Sequence, residues 1–111
     1  MTGIYKITNT NNGKVYVGQS KDIEVRWQQH KDELEKGKHC NKSMQYDYKR
    51  NPSAFVFEVL EECHLSLLNM REKYWIDQYK STDKRKGYNL TKGGGPKRKG
   101  PRFSLLDELT K

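Results

Sequence analysis

Apolar and polar residues alternate in short stretches at the start of the chain, and this pattern predicts a β-hairpin. Residues 3–8 and 14–18 are the two stretches, and they flank a turn-forming run that ends in Asn12-Gly13. An Asn-Gly pair between two such stretches is typical of a tight hairpin turn. If the strands pair symmetrically about it, Tyr5 and Tyr16 lie opposite one another on one face, either as a packed aromatic pair or as two functional phenols.

The pattern then changes to helical spacing. Residues 22–36 are predicted as a helix, with Asp22 as its N-cap and Gly37 as its stop. A shorter helix is predicted for residues 41–50, ended by the Asn51-Pro52 pair. The apolar stripe of the first helix recurs every three or four residues and includes a histidine: Ile23, Trp27, His30 and Leu34.

Residues 54–60 are rich in strand-forming side chains and predict a third strand. Residues 66–80 follow as a third helix, with Ser66 as the expected N-cap, and residues 88–90 form a short extended piece. The stripe of this helix contains one carboxylate among apolar residues: Leu65, Leu68, Glu72, Trp75, Ile76 and Tyr79. The element order predicts an α+β domain whose three-stranded, mostly antiparallel sheet is flanked by helices.

The composition changes after Lys92, and this divides the chain. Residues 1–92 are predicted as one domain, and residues 93–103 as a basic linker rich in glycine and proline. Residues 104–111 begin with a capping-box pattern, which indicates either a short C-terminal helix or the remnant of a longer protein.

Charge favours a polyanionic partner. The 111 residues carry a net charge of +8, and the stretch 92–102 holds a cluster of cations without an acid: Lys92, Lys97, Arg98, Lys99 and Arg102. Neutralising phosphates with such cations releases counterions, so we expect DNA contact there. A solubilising surface or an acidic protein partner is the alternative. We expect a cytoplasmic protein, because neither a membrane span nor a secretory signal is visible.

The cysteines do not predict a metal site. Cys40 and Cys63 each have a histidine beside them, His39 and His64. Adjacent residues usually point apart, and structural zinc sites use pairs spaced by two to five residues. Two reduced thiols are therefore expected.

Several scattered side chains together would suit phosphodiester hydrolysis. Glu72 lies on a core-facing stripe, where a carboxylate needs a cation, a metal or hydrogen-bond donors. Arg26 and His30 project from one side of the first helix, with Arg26 at the rim between core and solvent. An oxygen ligand suits a hard divalent cation, and a guanidinium suits a transferring phosphoryl group. A phenol could take a proton from water only with a pKa well below about 10.

These pieces, taken in order, resemble the GIY-YIG nuclease family, and most closely the catalytic domains of phage-type homing endonucleases. The match covers residues 1–92. Its elements, in chain order, are Gly3-Ile4-Tyr5, Tyr16-Val17-Gly18, Val25-Arg26-Trp27 with His30, residues 71–76 around Glu72, and Gly87-Tyr88-Asn89. Val17 stands where the family's name has isoleucine.

The resemblance implies a site and a reaction. One Mg²⁺ or Mn²⁺ ion is expected at Glu72, and Arg26 is expected to stabilise the phosphoryl charge. Tyr5 or Tyr16 would position or deprotonate the attacking water. His30, with His39 in support, would assist proton transfer or contact the phosphate, and Asn89 would support the site. The expected products are 5′-phosphate and 3′-hydroxyl ends on double-stranded DNA, cut by a monomer without a small-molecule cofactor in a phage- or bacterium-type host cell.

Two other interpretations of the same resemblance stay open. A domain of this fold could bind branched or duplex DNA without cutting it. Restriction and repair nucleases share the fold as well, although restriction enzymes normally carry recognition elements within a larger chain.

Overall fold

The computed structural model describes residues 1–93, which form a three-stranded sheet with helices on both faces. The strands are β1 (Gly3–Asn9), β2 (Val15–Ser20) and β3 (Phe55–Glu62). The helices are α1 (Ile23–Glu35), α2 (Lys42–Arg50) and α3 (Leu68–Tyr79), with short 3₁₀ turns at Pro52–Ala54 and Leu65–Leu67. The strand order is β2-β1-β3, and both pairs are antiparallel. The predicted α+β class and element order are confirmed.

The central strand β1 sends alternate side chains into two separate cores, as strand geometry requires. The first core lies between the sheet and the pair α1 and α2, and its buried members are Tyr5, Ile7, Ile23, Leu34, Met44 and Tyr88. The second core lies between the sheet and α3, and its buried members are Ile4, Val15, Val17, Leu68 and Ile76. The sheet therefore has no solvent-facing side at β1, although the domain is small.

The hairpin register differs from the expected one. Tyr5 pairs with Gly18, and Tyr16 pairs with Ile7. The prediction that the two tyrosines lie directly opposite one another was wrong, because the strands pair about a point between Asn11 and Asn12, one residue later than that pairing requires. Side chains two residues apart on a strand share a face, so the phenols are still diagonal neighbours on the face of the first core.

The first two helices begin and end close to their predicted limits. The Asp22 side chain accepts a hydrogen bond from the backbone N–H of Val25, which confirms Asp22 as the N-cap of α1. Gly37 follows α1 with a φ of +72°, a left-handed conformation that favours glycine. Asn41 caps α2 by accepting from the backbone N–H of Met44.

The start of the third helix was predicted two residues too early. Ser66 lies in a 3₁₀ turn, and its backbone N–H donates to the His64 side chain instead of Ser66 capping a helix. Leu65 is 51% exposed, so it does not belong to the buried stripe. Leu68 and Ile76 are buried as expected. The turn interrupts the helical spacing, and a stripe read from sequence alone does not reveal that interruption.

The chain returns after α3 to cover the outer edge of β2. The backbone N–H of Val15 donates to the carbonyl of Lys86, and the N–H of Tyr88 donates to the carbonyl of Val15. Gly87 packs against the backbone of Ser81, where an added Cβ would lie 2.4 Å from the Ser81 Cα. This close approach requires glycine, and it sets residues 88 and 89 beside β2.

Several predictions fall outside the described residues. These are the linker beyond Gly93, the element at 104–111, and the cations Lys97, Arg98, Lys99 and Arg102. Within residues 1–93, no helix combines the length and the apolar character that a bilayer span requires. Cys40 and Cys63 are both free thiols, as expected.

Candidate active site

Two phenols and an imidazole meet on the face of the sheet that α1 covers. The ring of His30 makes edge-to-face contacts with Tyr5 and Tyr16, at centroid distances of 5.7 Å and 5.6 Å. His30 Nε2 lies 2.7 Å from the Tyr5 Oη in a buried hydrogen bond. His30 is fully buried on the stripe of α1, as predicted, while Tyr16 is only partly buried.

A second histidine lies directly behind the first. The His30 and His39 rings are stacked at 5.0 Å, and His30 Nδ1 is 2.7 Å from His39 Nε2. Burial lowers the pKa of His39 to about 4, with the positive charge of Arg26 adding to the effect. Burial, Arg26 and His39 also hold the pKa of His30 well below its usual value. Both imidazoles are therefore neutral at physiological pH.

Gly18 provides the space that the Tyr5 phenol occupies. An added Cβ at this position would lie 2.4 Å from the Tyr5 Oη and 2.5 Å from its Cζ. The phenol therefore crosses the backbone of its partner strand at a point where any other residue would collide with it. The glycine of the second tripeptide, Tyr16-Val17-Gly18, is therefore required for steric reasons, because the observed register places it opposite Tyr5.

Arg26 lies at the rim of this pocket, as predicted. Its Nη1 donates to the Gln29 side chain at 3.1 Å. The largest influence on the pKa of Tyr5 is burial, which raises it well above 10, and the neighbouring Tyr16 raises it further. The positive charge of Arg26 acts in the opposite direction and lowers the pKa. Tyr5 is therefore a neutral phenol within electrostatic range of a permanent cation.

Glu72 lies on α3, which packs on the other face of the sheet. Its Oε1 accepts a hydrogen bond from the Gln19 Nε2 at 3.0 Å, and that amide also donates to Asn69 at 2.8 Å. The charge of Glu72 contributes to raising the pKa of Tyr5, so the carboxylate and the phenol lie within electrostatic range. The chain passes close by at Gly93, where an added Cβ would lie 3.0 Å from Glu72 Oε1.

The Asn89 side chain bonds to the backbone of β2 and does not lie where a residue that faces substrate would lie. Its Oδ1 accepts from the backbone N–H of Val17 at 2.8 Å, and its Nδ2 donates to the Val17 carbonyl at 2.9 Å. The side chain amide therefore pairs with β2 in the way a neighbouring strand would. Because Val17 lies between Tyr16 and Gly18, Asn89 holds the backbone on which both stand.

One group of side chains has the spacing of a metal site but not its chemistry. The potential ligand atoms of His30, Glu33 and His39 lie within 4.8 Å of one another. However, the two imidazoles are bonded to each other, and the backbone N–H of Asn41 donates to His39 Nδ1 at 3.0 Å. A metal at His39 Nε2 would need Nδ1 protonated, and that proton would face the Asn41 N–H. We interpret these residues as a hydrogen-bonded chain.

Glu72 has the chemistry that a hard cation requires. Two groups at this place offer oxygen atoms, the Glu72 carboxylate and the Asn69 side chain carbonyl. The Gln19 side chain amide donates a hydrogen bond to each of them. Mg²⁺ is usually bound by one or two carboxylates, several waters and substrate phosphates. A single half-buried carboxylate beside a cationic pocket fits that pattern.

The structure thus brings together most of the residues that the sequence suggested. The pocket formed by Tyr5, Tyr16, Arg26 and His30 is backed by His39, and the charge of Glu72 on α3 acts on the Tyr5 phenol. Lys92 is exposed near the end of the described chain. Residues that sequence reasoning missed are Gln19, Asn41 and Gln45, whose roles depend on hydrogen bonds to distant backbone and side chain atoms.

Comparison with known proteins adds independent findings. Residues 1–89 match the family model described as the GIY-YIG catalytic domain. The chain is 42% identical over 91 residues to the intron-associated endonuclease 1 of Enterobacteria phage T4. That alignment covers 80% of this chain but only 36% of the phage protein.

Two solved structures are similar throughout the described domain. The catalytic domain of the homing endonuclease I-TevI aligns with a TM-score of 0.74 and 40% identity, covering 82% of this chain and 99% of that one. A mutant form of the catalytic domain of intron endonuclease I-TevI aligns with a TM-score of 0.75 and 38% identity, covering 83% of this chain and 95% of that one.

Proposed function

This chain belongs to the GIY-YIG family, and we propose that it is a divalent-metal-dependent DNA endonuclease of the homing type. The reaction is hydrolysis of a phosphodiester bond to give a 5′-phosphate and a 3′-hydroxyl. The main observation in support is the cluster in which the His30 ring contacts both Tyr5 and Tyr16, within electrostatic range of Arg26 and Glu72, whose charges act on the pKa of Tyr5.

Glu72 is the residue we propose to hold a single Mg²⁺ or Mn²⁺ ion. When bound, such an ion supplies positive charge to a phosphate oxygen and to the leaving group. Gln19 orients the carboxylate by its hydrogen bond to Oε1. Removal of the carboxylate is therefore expected to abolish cleavage, whereas removal of a surface carboxylate on α3 is not.

Arg26 is positioned to neutralise the charge that develops on the phosphoryl oxygens. Such stabilisation is strongest where water is excluded, and the pocket behind Arg26 is lined by buried aromatic rings. One of the two phenols, Tyr5 or Tyr16, is proposed to position the attacking water or to take its proton. Separate Tyr5→Phe and Tyr16→Phe variants identify which, because only loss of the essential hydroxyl removes the group that contacts the water. Because burial raises the pKa of Tyr5 well above 10, Tyr5 is proposed to position the water and not to act as the base.

Double-stranded DNA is the proposed substrate. The cations proposed to contact it are Lys92 and, beyond the part of the chain that the structure describes, Lys97, Arg98, Lys99 and Arg102. Since these contacts are to phosphates, we expect weak and strongly salt-dependent affinity. We propose that the protein acts as a monomer in the cytoplasm of a phage- or bacterium-type host. The chain spans about a third of the phage relative's length (36%), so any further recognition module lies beyond this proposal.

The competing candidates are a non-cleaving DNA-binding domain of the same fold and a restriction or repair nuclease. Incubating supercoiled plasmid with the protein and Mg²⁺ distinguishes an endonuclease from a non-cleaving DNA-binding domain. We expect nicked or linear product that EDTA prevents, with ends that a ligase accepts without treatment. Intact plasmid that is nevertheless retarded on a gel would instead support the binding domain.

A further inference from the structure

A chain of short hydrogen bonds runs from the backbone of Asn41 to the phenol of Tyr5. The Asn41 N–H donates to His39 Nδ1 at 3.0 Å, His39 Nε2 is 2.7 Å from His30 Nδ1, and His30 Nε2 is 2.7 Å from Tyr5 Oη. Tyr5 and both histidines are at most 2% exposed. Water therefore does not compete for these bonds.

The first link sets the direction of all the others. A backbone amide nitrogen can only donate, so His39 Nδ1 must carry a lone pair. A neutral imidazole has one N–H, and that proton must then be on His39 Nε2, which donates to His30 Nδ1. By the same reasoning the proton of His30 is on Nε2 and is donated to the Tyr5 oxygen.

We propose that the backbone N–H of Asn41 is a positioning group that fixes both histidine tautomers, so that His30 is a permanent donor to Tyr5 and cannot accept its proton. The reverse direction would place a protonated His39 Nδ1 against the Asn41 N–H, two donors 3.0 Å apart. A donor aimed at the phenol oxygen favours its anionic form. Any proton that Tyr5 releases must therefore leave on the side of the pocket and not through the core.

Two side chains hold the segment that carries this N–H. Gln45 accepts from the His39 backbone N–H at 2.9 Å and donates to the Leu34 carbonyl at 3.0 Å, which ties His39 to the end of α1. The Asn41 side chain caps α2 and donates to the Tyr88 carbonyl at 2.6 Å. Asn41 thus links the two histidines to Tyr88, which is followed by Asn89, the residue whose side chain bonds to β2.

The test compares Asn41→Pro with Asn41→Ala. Both variants lose the side chain amide, but only proline removes the backbone N–H. The φ of −85° at Asn41 is close to the value that proline imposes, so the exchange is sterically reasonable. Nitrogen-15 NMR of the imidazoles, recorded near pH 7.5 without DNA or metal, shows directly which nitrogen is protonated.

We expect protonated Nε2 on both rings in the wild type and in Asn41→Ala. In Asn41→Pro we expect a second population with His39 protonated at Nδ1. The catalytic consequence rests on the proposed nuclease function, and there we expect plasmid nicking by Asn41→Pro to be about tenfold slower than by Asn41→Ala.

Protonated Nδ1 on either ring of the wild type would overturn the inference, as would identical imidazole spectra for the two variants. If Asn41→Pro does not fold, the wild-type spectrum decides the question by itself. Because the tautomers are read without substrate, an inactive wild type with both protons on Nε2 would contradict the proposed function and leave this inference standing.

Discussion

Replacing Gly18 with alanine tests the packing of the Tyr5 phenol most severely. The new Cβ would lie 2.4 Å from Oη and 2.5 Å from Cζ, whereas carbon atoms normally approach to about 3.5 Å. The ring must therefore move by about 1 Å. It cannot swing into solvent freely, because Tyr5 is only 1% exposed and contacts the Trp27 ring at 6.3 Å between centroids.

The expected cost has two parts. Overpacking a core typically destabilises a protein by about 1–3 kcal/mol. A shift of about 1 Å also takes the 2.7 Å bond between Tyr5 and His30 out of hydrogen-bonding range and leaves a buried polar group unpaired, at about 1–3 kcal/mol. We therefore expect Gly18→Ala to lower the free energy of unfolding by about 3 kcal/mol, and cleavage to slow by about 100-fold.

The assay is urea unfolding followed by circular dichroism, together with plasmid nicking under conditions where the variant is folded. Gly13→Ala is the matched control, since nothing lies within 4 Å of its Cβ but its φ is +81°. That variant should lose about 1 kcal/mol through backbone strain and keep its nicking rate. A Gly18→Ala protein with wild-type stability and activity would refute the proposed steric role of Gly18.

Two further predictions concern buried polar groups. Tyr88→Phe removes a hydroxyl that accepts from Asn9 at 3.0 Å and donates to Asp47 at 2.7 Å. Urea unfolding should therefore show a loss of about 2 kcal/mol in the free energy of unfolding, with nicking retained. Unchanged stability would contradict the proposed stabilising role of this hydroxyl. The pKa of His39 falls from 6.5 unfolded to about 4 folded, so the unfolded chain binds more protons between these values and stability falls as pH is lowered through this window. That loss of stability amounts to about 3 kcal/mol. The lowered pKa of His30 acts in the same direction. A His39→Asn variant whose stability depends on pH as steeply as that of the wild type would argue against this role of His39.

Much of the fold followed from local patterns. Helix α1 was predicted because an N-cap, a stripe with helical spacing and a terminal glycine all agree over the same residues. The position of His30 in the core followed from that stripe as well. The start of α3 did not, because a 3₁₀ turn at Leu65–Leu67 continues the apolar pattern without continuing the helix. Hairpin register depended on the point about which the two strands pair, and a shift of that point by one residue moved the partner of Tyr5 from Tyr16 to Gly18.

The site was predictable as a set of residues but not as a geometry. Tyr5, Arg26 and Glu72 were identified from side chain chemistry and from the resemblance to a nuclease family. Their supporting contacts depend on groups far apart in sequence, such as Gln19 bonded to Glu72 and Asn89 bonded to Val17. Nothing in the spacing of a sequence indicates which backbone group a given amide will meet.

The central claim is that the Glu72 carboxylate makes DNA cleavage possible by holding a divalent cation. The most direct measurement is the initial rate of supercoiled-plasmid nicking in Mg²⁺ for the wild type, Glu72→Gln and Asp77→Asn. Asp77 is an exposed carboxylate on the same helix, so its variant removes equal charge without touching the site. We expect Asp77→Asn to nick at the wild-type rate and Glu72→Gln, folded equally well, to give no product above background. Nicking by Glu72→Gln at a rate near that of Asp77→Asn would contradict the claim.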